Sequence, residues 1–398
     1  MIRRKKSSIF LTILTLLLVL AAAGCSPQDP ATGAPSGVRN IILFIGDGMG
    51  QTQRQAARRA AVDDDGMLAM DDMPAAGLLH TAAADSDVPD SAAAATAMAS
   101  GVKTNVGVIG LDARLAPVAT ILEKAGSRGK LTGLVTTAPL TDATPAAFAV
   151  HVRDRKLFAE IAAQLLNARV DVMLGGGEDT LLPDAANGCY EKCRERTDGR
   201  NIFRREVNQG TTWVCDAKAL AAVDPASTTR LVGLFADQGM IRPFSPSLAD
   251  MTQKAIDILA RGPNGFFLMV EAGQIDWAAH ANDAEHVIAD TIGLDRAVKI
   301  ARQYAAANND TLIIVTADHE TGGMALSHLP MGLNGEDGPF PMADGGTFYV
   351  NWSTSQHTPT DVPVTAMGPG AQQLNGVHDN TFVYQVMDQA LGKEHWDR

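Results

Sequence analysis

Six short apolar runs, at residues 41–45, 131–136, 170–174, 266–270, 311–315 and 362–367, set the rhythm of this chain. They are rich in β-branched residues and do not alternate with polar ones, so each reads as a strand buried on both faces. Ala- and Leu-rich stretches with helical spacing lie between them, at 115–125, 157–167, 251–259 and 284–306. Strands alternating with helices predict an α/β fold: a mainly parallel central sheet covered by helices on both faces. Two segments break the rhythm. Residues 178–215 are polar and contain cysteines, which predicts a surface excursion. Residues 325–355 are rich in Gly, Pro and Met, which predicts an inserted loop over the edge of a site. One catalytic domain over residues 39–398, carrying these two insertions, is expected.

The ends of the runs carry the chemistry. Asn40-Ile41-Ile42-Leu43-Phe44-Ile45-Gly46-Asp47-Gly48-Met49-Gly50 breaks from strand into glycines around a single carboxylate. Glu271 directly follows a second run, and Asp318-His319 closely follow a third. In open α/β sheets ligands bind beyond the carboxyl ends of the strands. A Gly-Asp-Gly turn, with Asp bonded to its own backbone, accounts for Asp47 equally well on its own. The shared edge favours a shared site.

With 398 residues, 46% of them hydrophobic, the chain has enough apolar surface for a large core. Its start is a targeting segment rather than part of the fold. Arg3, Arg4, Lys5 and Lys6 precede an apolar stretch at 9–20, too short for a comfortable membrane span. Ala22-Ala23-Gly24-Cys25 then resembles a lipobox, with Cys25 the residue to be lipidated; ordinary signal cleavage near Ala23 is the alternative. Export follows in either case: anchored to a membrane facing the periplasm or cell exterior, or soluble in the periplasm. Residues 26–38 read as a flexible tether. Losing four basic residues and no acidic ones takes the net charge from −12 to −16. So acidic a chain is not expected to bind nucleic acid through phosphates, and any phosphate site must create its positive potential locally. Cys189, Cys193 and Cys215 remain in an oxidising space, so one disulfide among them is expected, its pairing open.

Four further constellations can act on a ligand. Asp90-Ser91-Ala92-Ala93 opens a small-residue helix that Gly101 ends. Ser or Asp there commonly caps a helix, and Ser91 equally fits a nucleophile facing the helix's positive end. Asp276 and His280 are four apart in a helical stretch and share one face, where carboxylate plus imidazole suits zinc or forms an ion pair. Thr144 offers a hydroxyl to a hard cation, and Arg155 a planar fork to phosphate oxygens. Asp142 orients Arg155 or a bound water, or simply makes a turn. His357 lies late in the chain, in Ser355-Gln356-His357-Thr358.

Taken in order, seven elements resemble the alkaline phosphatase family: Ile-Gly-Asp-Gly-Met-Gly, Val-Pro-Asp-Ser-Ala-Ala, Thr-Asp-Ala-Thr-Pro-Ala-Ala, Arg-Lys, Glu-Ala-Gly-Gln-Ile-Asp with His four residues on, Thr-Ala-Asp-His-Glu-Thr-Gly-Gly and Gln-His-Thr. The resemblance runs from about Asn40 to Met387 and implies two Zn2+ and one Mg2+ per chain. Asp276, His280 and His357 would hold one zinc. Asp47, Asp318 and His319 would hold the other, with Ser91 on its substrate side, and Asp47, Thr144 and Glu271 the magnesium. It further implies hydrolysis of small phosphate monoesters through a phosphoserine on Ser91, with Arg155 on the phosphoryl oxygens, and a homodimer, as members often form. Six positive charges against four carboxylates would make the site net positive inside an acidic protein.

Trp277 stands where members carry Lys, His or Trp, so no cation is supplied there and weaker retention of phosphate is expected. His80, His151, His286, His328, His378 and His395 match no ligand position. The alternatives are a phosphodiesterase or phosphonate hydrolase of the same superfamily, a sulfatase, and a lipid-anchored binding protein without turnover. The nucleophile motif is not a sulfatase's, diesterases usually lack the Thr144–Glu271 pair, and a binding protein has no use for Ser91.

Overall fold

A computed structural model describes residues 37–62, 66–183, 188–190 and 202–392. Strand β1, Asn40–Gly46, is buried along its whole length. Its five apolar side chains are 0% exposed, and at roughly 1.5–3 kcal/mol for each fully buried aliphatic or aromatic group they anchor the centre of the sheet. Around it run β2 (Ala75–His80), β3 (Leu131–Pro139), β4 (Val172–Gly176), β5 (Thr212–Val214), β6 (Leu231–Leu234), β7 (Phe266–Ala272) and β8 (Thr311–Thr316). Later in the chain come β9 (Glu320–Thr321), β10 (Met324–Ser327), β11 (Asp337–Pro341), β12 (Thr347–Trp352), β13 (His357–Thr358), β14 (Val362–Met367) and β15 (Gly376–Asp379). The main sheet has ten strands in the order β15-β2-β14-β8-β1-β7-β3-β4-β6-β5.

Register is what builds the site. Ile45 of β1 pairs with Glu271 of β7 on one side and Thr316 of β8 on the other. Thr136 of β3 pairs with Glu271. Parallel strands in this register end together, so Asp47, Glu271 and Asp318 emerge at one edge beside Thr136. The acids that follow three separate strands in the sequence thus meet at one place.

The structure corrects three expectations. The run at 362–367 is a strand but lies antiparallel to β2 and β8. The chain reaches it from the site edge through β13, so it returns down the sheet with no need for a helical crossover. Helix is absent from the first part of 115–125: Leu115 adopts a left-handed φ of 64°, and the helix is Ile121–Ser127, begun by a Thr120–Glu123 capping box. The segment 325–355 is a three-stranded antiparallel sheet, β10-β12-β11, not a loop. It docks on the helix Gln51–Ala61, where Ala343 N–H donates to the Arg59 carbonyl. The 178–215 excursion, in part outside the described residues, contributes β5 to the sheet edge and is closed by a Cys189–Cys215 disulfide; Cys193 lies outside the described residues. The other helices fall near the predicted places: Phe158–Asn167, Leu248–Leu259 and Ala284–Ala307. No described helix is long and apolar enough to cross a membrane.

Candidate active site and metal centre

Ser91 opens the helix Ser91–Ser100, whose every residue is buried. Sequence left capping open between Asp90 and Ser91, and the structure divides the work. Asp90 Oδ1 accepts from Ala93 N–H at 3.0 Å, which frees the Ser91 hydroxyl. Gly101, at φ 73°, ends the helix in the left-handed region. The first N–H groups of a helix lack intrahelical partners, so Ser91 sits at a positive pole. Its Oγ is 3.3 Å from His319 Nε2.

Arg155 faces the same cavity, about 410 Å3, lined also by Asp90, Ser91, Asp276, His280 and His357. Its Nη1 donates to Asp90 Oδ2 at 3.0 Å and its Nη2 to Asp142 Oδ1 at 3.1 Å. Burial would lower the Arg155 pKa, but Asp142 and Asp90 outweigh it and hold the group firmly cationic. Asp142 also accepts from Ala143 N–H at 2.7 Å, so it orients the arginine and caps a short helix at once. Two of five guanidinium N–H groups are thereby fixed, and the rest remain for an anion.

Two groups of ligating atoms lie beside Ser91. Asp47, Asp318 and His319 place one ligand atom each within 4.8 Å of one another, and so do Asp276, His319 and His357. In the first, His319 Nε2 is 3.5 Å from Asp47 Oδ1 and 3.3 Å from Asp318 Oδ2. In the second, Asp276 Oδ1 is 3.5 Å from His357 Nε2, and Asp276 Oδ2 is 3.3 Å from His280 Nε2. The Nε2 atoms of His280 and His357 approach to 3.1 Å. His280 Nδ1 donates to the Ser355 carbonyl at 2.7 Å, and His357 Nδ1 to the Pro89 carbonyl at 2.8 Å. A carbonyl only accepts, so each Nδ1 carries a proton and each Nε2 is the atom turned toward Asp276. That is the arrangement outer partners impose on metal-ligating histidines.

Asp47 makes no bond to its own backbone. Its Oδ1, with Asp318 Oδ2 and Thr144 Oγ1, is buried without a hydrogen-bond partner. Buried oxygens are normally bonded, and Asp47 Oδ1 and Asp318 Oδ2, orphaned beside His319 Nε2, fit a bound cation. Protonation follows the same logic. Burial, then Asp318, Asp276 and Glu271, drive the Asp47 carboxyl well above its usual range. Burial pushes Glu271 up to about 8, against a hydrogen bond donated by the Thr136 hydroxyl. Burial alone would raise Asp276 too, but His280 and His357 outweigh it and hold it low. The Asp276 hydrogen bond raises His280 to about 9, while burial lowers His319. These acids cannot all ionise together without positive charge among them. They form a metal-binding centre.

All the sequence-predicted site residues reach this edge. Sequence reading missed Thr136, Thr321 and Glu320. Thr136 bonds Glu271, and Thr321 Oγ1 donates to Asp276 Oδ1 at 2.5 Å while lying 3.2 Å from His319 Nδ1. Thr136 lies on the strand that leads to Thr144, and Glu320 and Thr321 form the strand directly after His319; only register shows the contacts. None of the six β10-β12-β11 strand ends lines the Ser91 cavity, and Trp277, 40% exposed, packs over Gly239. The remaining described histidines pair elsewhere, among them His80 with Asp361 and His286 with Asp283.

Known proteins share this sequence and frame. A sequence model described as Alkaline phosphatase matches residues 38–339 and 347–393. The chain is 33% identical to the alkaline phosphatase of Escherichia coli, over 98% of this chain and 99% of that protein. It is 34% identical to the streptomycin-6-phosphate phosphatase of Streptomyces griseus, over 94% of this chain and 95% of that protein. Alkaline phosphatase from the Antarctic bacterium TAB5 superposes with a TM-score of 0.77 at 29% identity, covering 89% of this chain and 98% of its own. With the strands, the Ser91 helix and the ligand clusters all in the matched region, the chain belongs to the alkaline phosphatase family.

Proposed function

We propose that this chain hydrolyses phosphate monoesters by transferring the phosphoryl group first to Ser91 and then to water. One observation carries the reading: a Ser91 hydroxyl freed from capping, 3.3 Å from His319 Nε2 and in one cavity with Arg155. We assign one zinc to Asp276, His280 and His357, a second to Asp47, Asp318, His319 and Ser91, and a magnesium to Asp47, Thr144 and Glu271. Mixed nitrogen and oxygen donors suit zinc, and the all-oxygen set suits magnesium. Variants of the TAB5 enzyme, 29% identical, have Mg bound in a site named M3. When bound, such ions neutralise the carboxylates, ease loss of the Ser91 proton and draw charge from the phosphoryl oxygens.

The chain's own residues do the rest. Asp90 and Asp142 hold Arg155 so that its remaining N–H groups meet two phosphoryl oxygens, and the helix N-terminus adds its partial positive charge. Ser91 Oγ attacks phosphorus in line, the ester P–O bond breaks, and the alcohol leaves with a proton. Water then attacks the phosphoserine, the Ser91–phosphorus bond breaks, and Ser91 regains its proton as phosphate departs. Fixing the reacting groups in a buried edge removes orientational entropy from both steps.

The test is metal analysis of the purified chain alongside its rates on an aryl phosphate, an aryl phosphodiester and an aryl sulfate, for wild type and Ser91→Ala. Phosphate monoester preference and loss of turnover in the variant are expected. A diester or sulfate preference, or full activity without Ser91, overturns the proposal.

We also propose export with a lipid on Cys25, supported by the basic start, the apolar stretch and the Ala-Ala-Gly-Cys sequence. Labelled palmitate should enter wild type and not Cys25→Ser; equal labelling would contradict it.

A further inference from the structure

The centre described above rests on a buried carboxylate that takes no part in it. Glu320 is 5% exposed, and among the described residues no Lys, Arg or His lies within ion-pair distance of it. Neutral donors hold it instead. Oε1 accepts from Gln53 Nε2 at 2.7 Å and from Met324 N–H at 3.2 Å. Oε2 accepts from the Thr358 hydroxyl and from Gly323 N–H at 3.2 Å. Taking a carboxylate out of water without a cation is costly, and a hydrophobic residue would fill the space more cheaply. Four convergent donors indicate that the arrangement serves something else.

We propose that Glu320 is the positioning residue that sets His357 against Asp276 and His280, by tying the strand of His357 to the turn of Asp47. Glu320 itself pairs with Thr358 in the two-stranded β9–β13 ladder, and Thr321 with His357. The carboxylate then locks that ladder at Thr358, one residue beyond the ligand. On its other side it grips Gln53, in the first turn of the helix that follows the Asp47 turn, and Gln53 Nε2 also donates to the Thr321 carbonyl at 2.7 Å. The Asp47 turn is shaped to admit it. A Cβ on Gly50 would lie 2.3 Å from Glu320 Cγ, so the last glycine of Gly48-Met49-Gly50 makes room for this side chain. Thr321 N–H donates to the Gly48 carbonyl at 3.2 Å, closing the link. Two sequence motifs 270 residues apart, judged by Gly50 and Glu320, are thus two halves of one joint.

Chemistry makes Glu specific here. Asp is too short to reach both sides. Gln presents one oxygen and one NH2 group, so one pair of donors would face a donor. Thr358 can turn its hydroxyl to accept, but Gly323 N–H cannot. A partner bonded directly to a metal-ligating histidine is worth about 10–100-fold in metal affinity; Glu320 acts one residue away, through Thr358, so the low end of that range is expected.

This inference rests on the metal assignment to His357, and the experiment separates the two. Full-length protein carrying Glu320→Gln, Thr358→Val, Thr358→Ser or His357→Ala is equilibrated in zinc buffers. Metal per chain, the visible spectrum of the cobalt-loaded form and the thermal midpoint of the metal-free form are measured. Thr358→Val and Glu320→Gln should weaken one bound zinc by about tenfold, the low end of the effect of direct outer partners, and alter the cobalt spectrum. Thr358→Ser, which keeps the hydroxyl, should match wild type. Thr358→Val decides the matter if Glu320→Gln does not fold, since it removes only the hydroxyl that bonds Glu320 and the exposed Thr360 and leaves the carboxylate. Wild-type zinc affinity in Thr358→Val and Glu320→Gln, beside weakened affinity in His357→Ala, overturns the role of Glu320 alone. Undiminished affinity in His357→Ala sinks the metal assignment and this proposal with it.

Discussion

Stripping the protein of metal should leave Glu271 buried beside Asp142 and Asp318 with no cation, and Glu271→Gln measures what that burial costs. Glu271 is 1% exposed, and burial pushes its carboxyl from the ordinary 4.5 up to about 8. A raised carboxyl pKa means the folded state holds its proton where the unfolded chain has lost it. Metal-free stability therefore falls as pH rises from the ordinary carboxylate range towards about 8, at about 1.4 kcal/mol per pH unit. Integrated between roughly pH 5.5 and pH 8, this one group removes about 3 kcal/mol, an order-of-magnitude figure. Gln does not titrate, so its pH slope should lack that component, whatever its absolute stability. The assay is urea unfolding of chelator-treated protein at the two pH values, wild type against variant. The slope difference should disappear when metal is restored, because cations and not protons then balance the carboxylate. Equal slopes for metal-free wild type and Glu271→Gln would refute the reasoning.

Three further predictions follow from other contacts. Asp90→Asn keeps a good helix cap but removes the carboxylate that holds Arg155 at 3.0 Å; competitive inhibition by inorganic phosphate should weaken about tenfold, on the scale of one charge-assisted hydrogen bond of ~1.5 kcal/mol, with the thermal midpoint little changed, and unchanged inhibition would count against the assigned role of Arg155. Trp277→Lys restores a cation beside Asp276 and should tighten phosphate inhibition; no tightening contradicts the expectation from sequence. His151, hydrogen-bonded to Glu123 at 2.9 Å and raised by it above its ordinary range, should stabilise the fold fully below about pH 6.5, the ordinary histidine pKa, and lose that contribution as pH rises through its folded value. His151→Gln should thus lower the thermal midpoint more at acid than at alkaline pH, and a pH-independent difference would rule the pair out.

Much of the fold was legible because buried strands and strand-end acids follow from local pattern. The run at 41–45 predicts both the central strand and the exit of Asp47 at its edge, and Asp276 with His280 follows from helical spacing alone. The direction of β14 was not legible: Val362–Met367 reads as apolar in either sense, and only the path through β9 and β13 makes it antiparallel. Leu115 fits helical spacing, but nothing in its neighbours announces the left-handed φ that excludes it. Gly-, Pro- and Met-rich composition over 325–355 suggested a loop because its strands, such as Asp337–Pro341, are short and largely exposed. At the site, Thr136, Glu320 and Thr321 escaped notice because threonine and glutamate carry no spacing signal, and their partners are set by register across the sheet. Asp90 was visible, yet its double duty to Ala93 and Arg155 depends on a loop 65 residues away.

The central claim is that Ser91, at the helix N-terminus facing the metal centre, receives the phosphoryl group. It is tested most directly by acid-quenching metal-loaded enzyme during turnover of an aryl phosphate and mapping the peptides by mass spectrometry. A phosphoryl group on Ser91 that appears with substrate, and is lost together with turnover in Ser91→Ala, is the predicted result. Sustained turnover with no phosphopeptide from wild type, or undiminished activity in Ser91→Ala, would contradict the account.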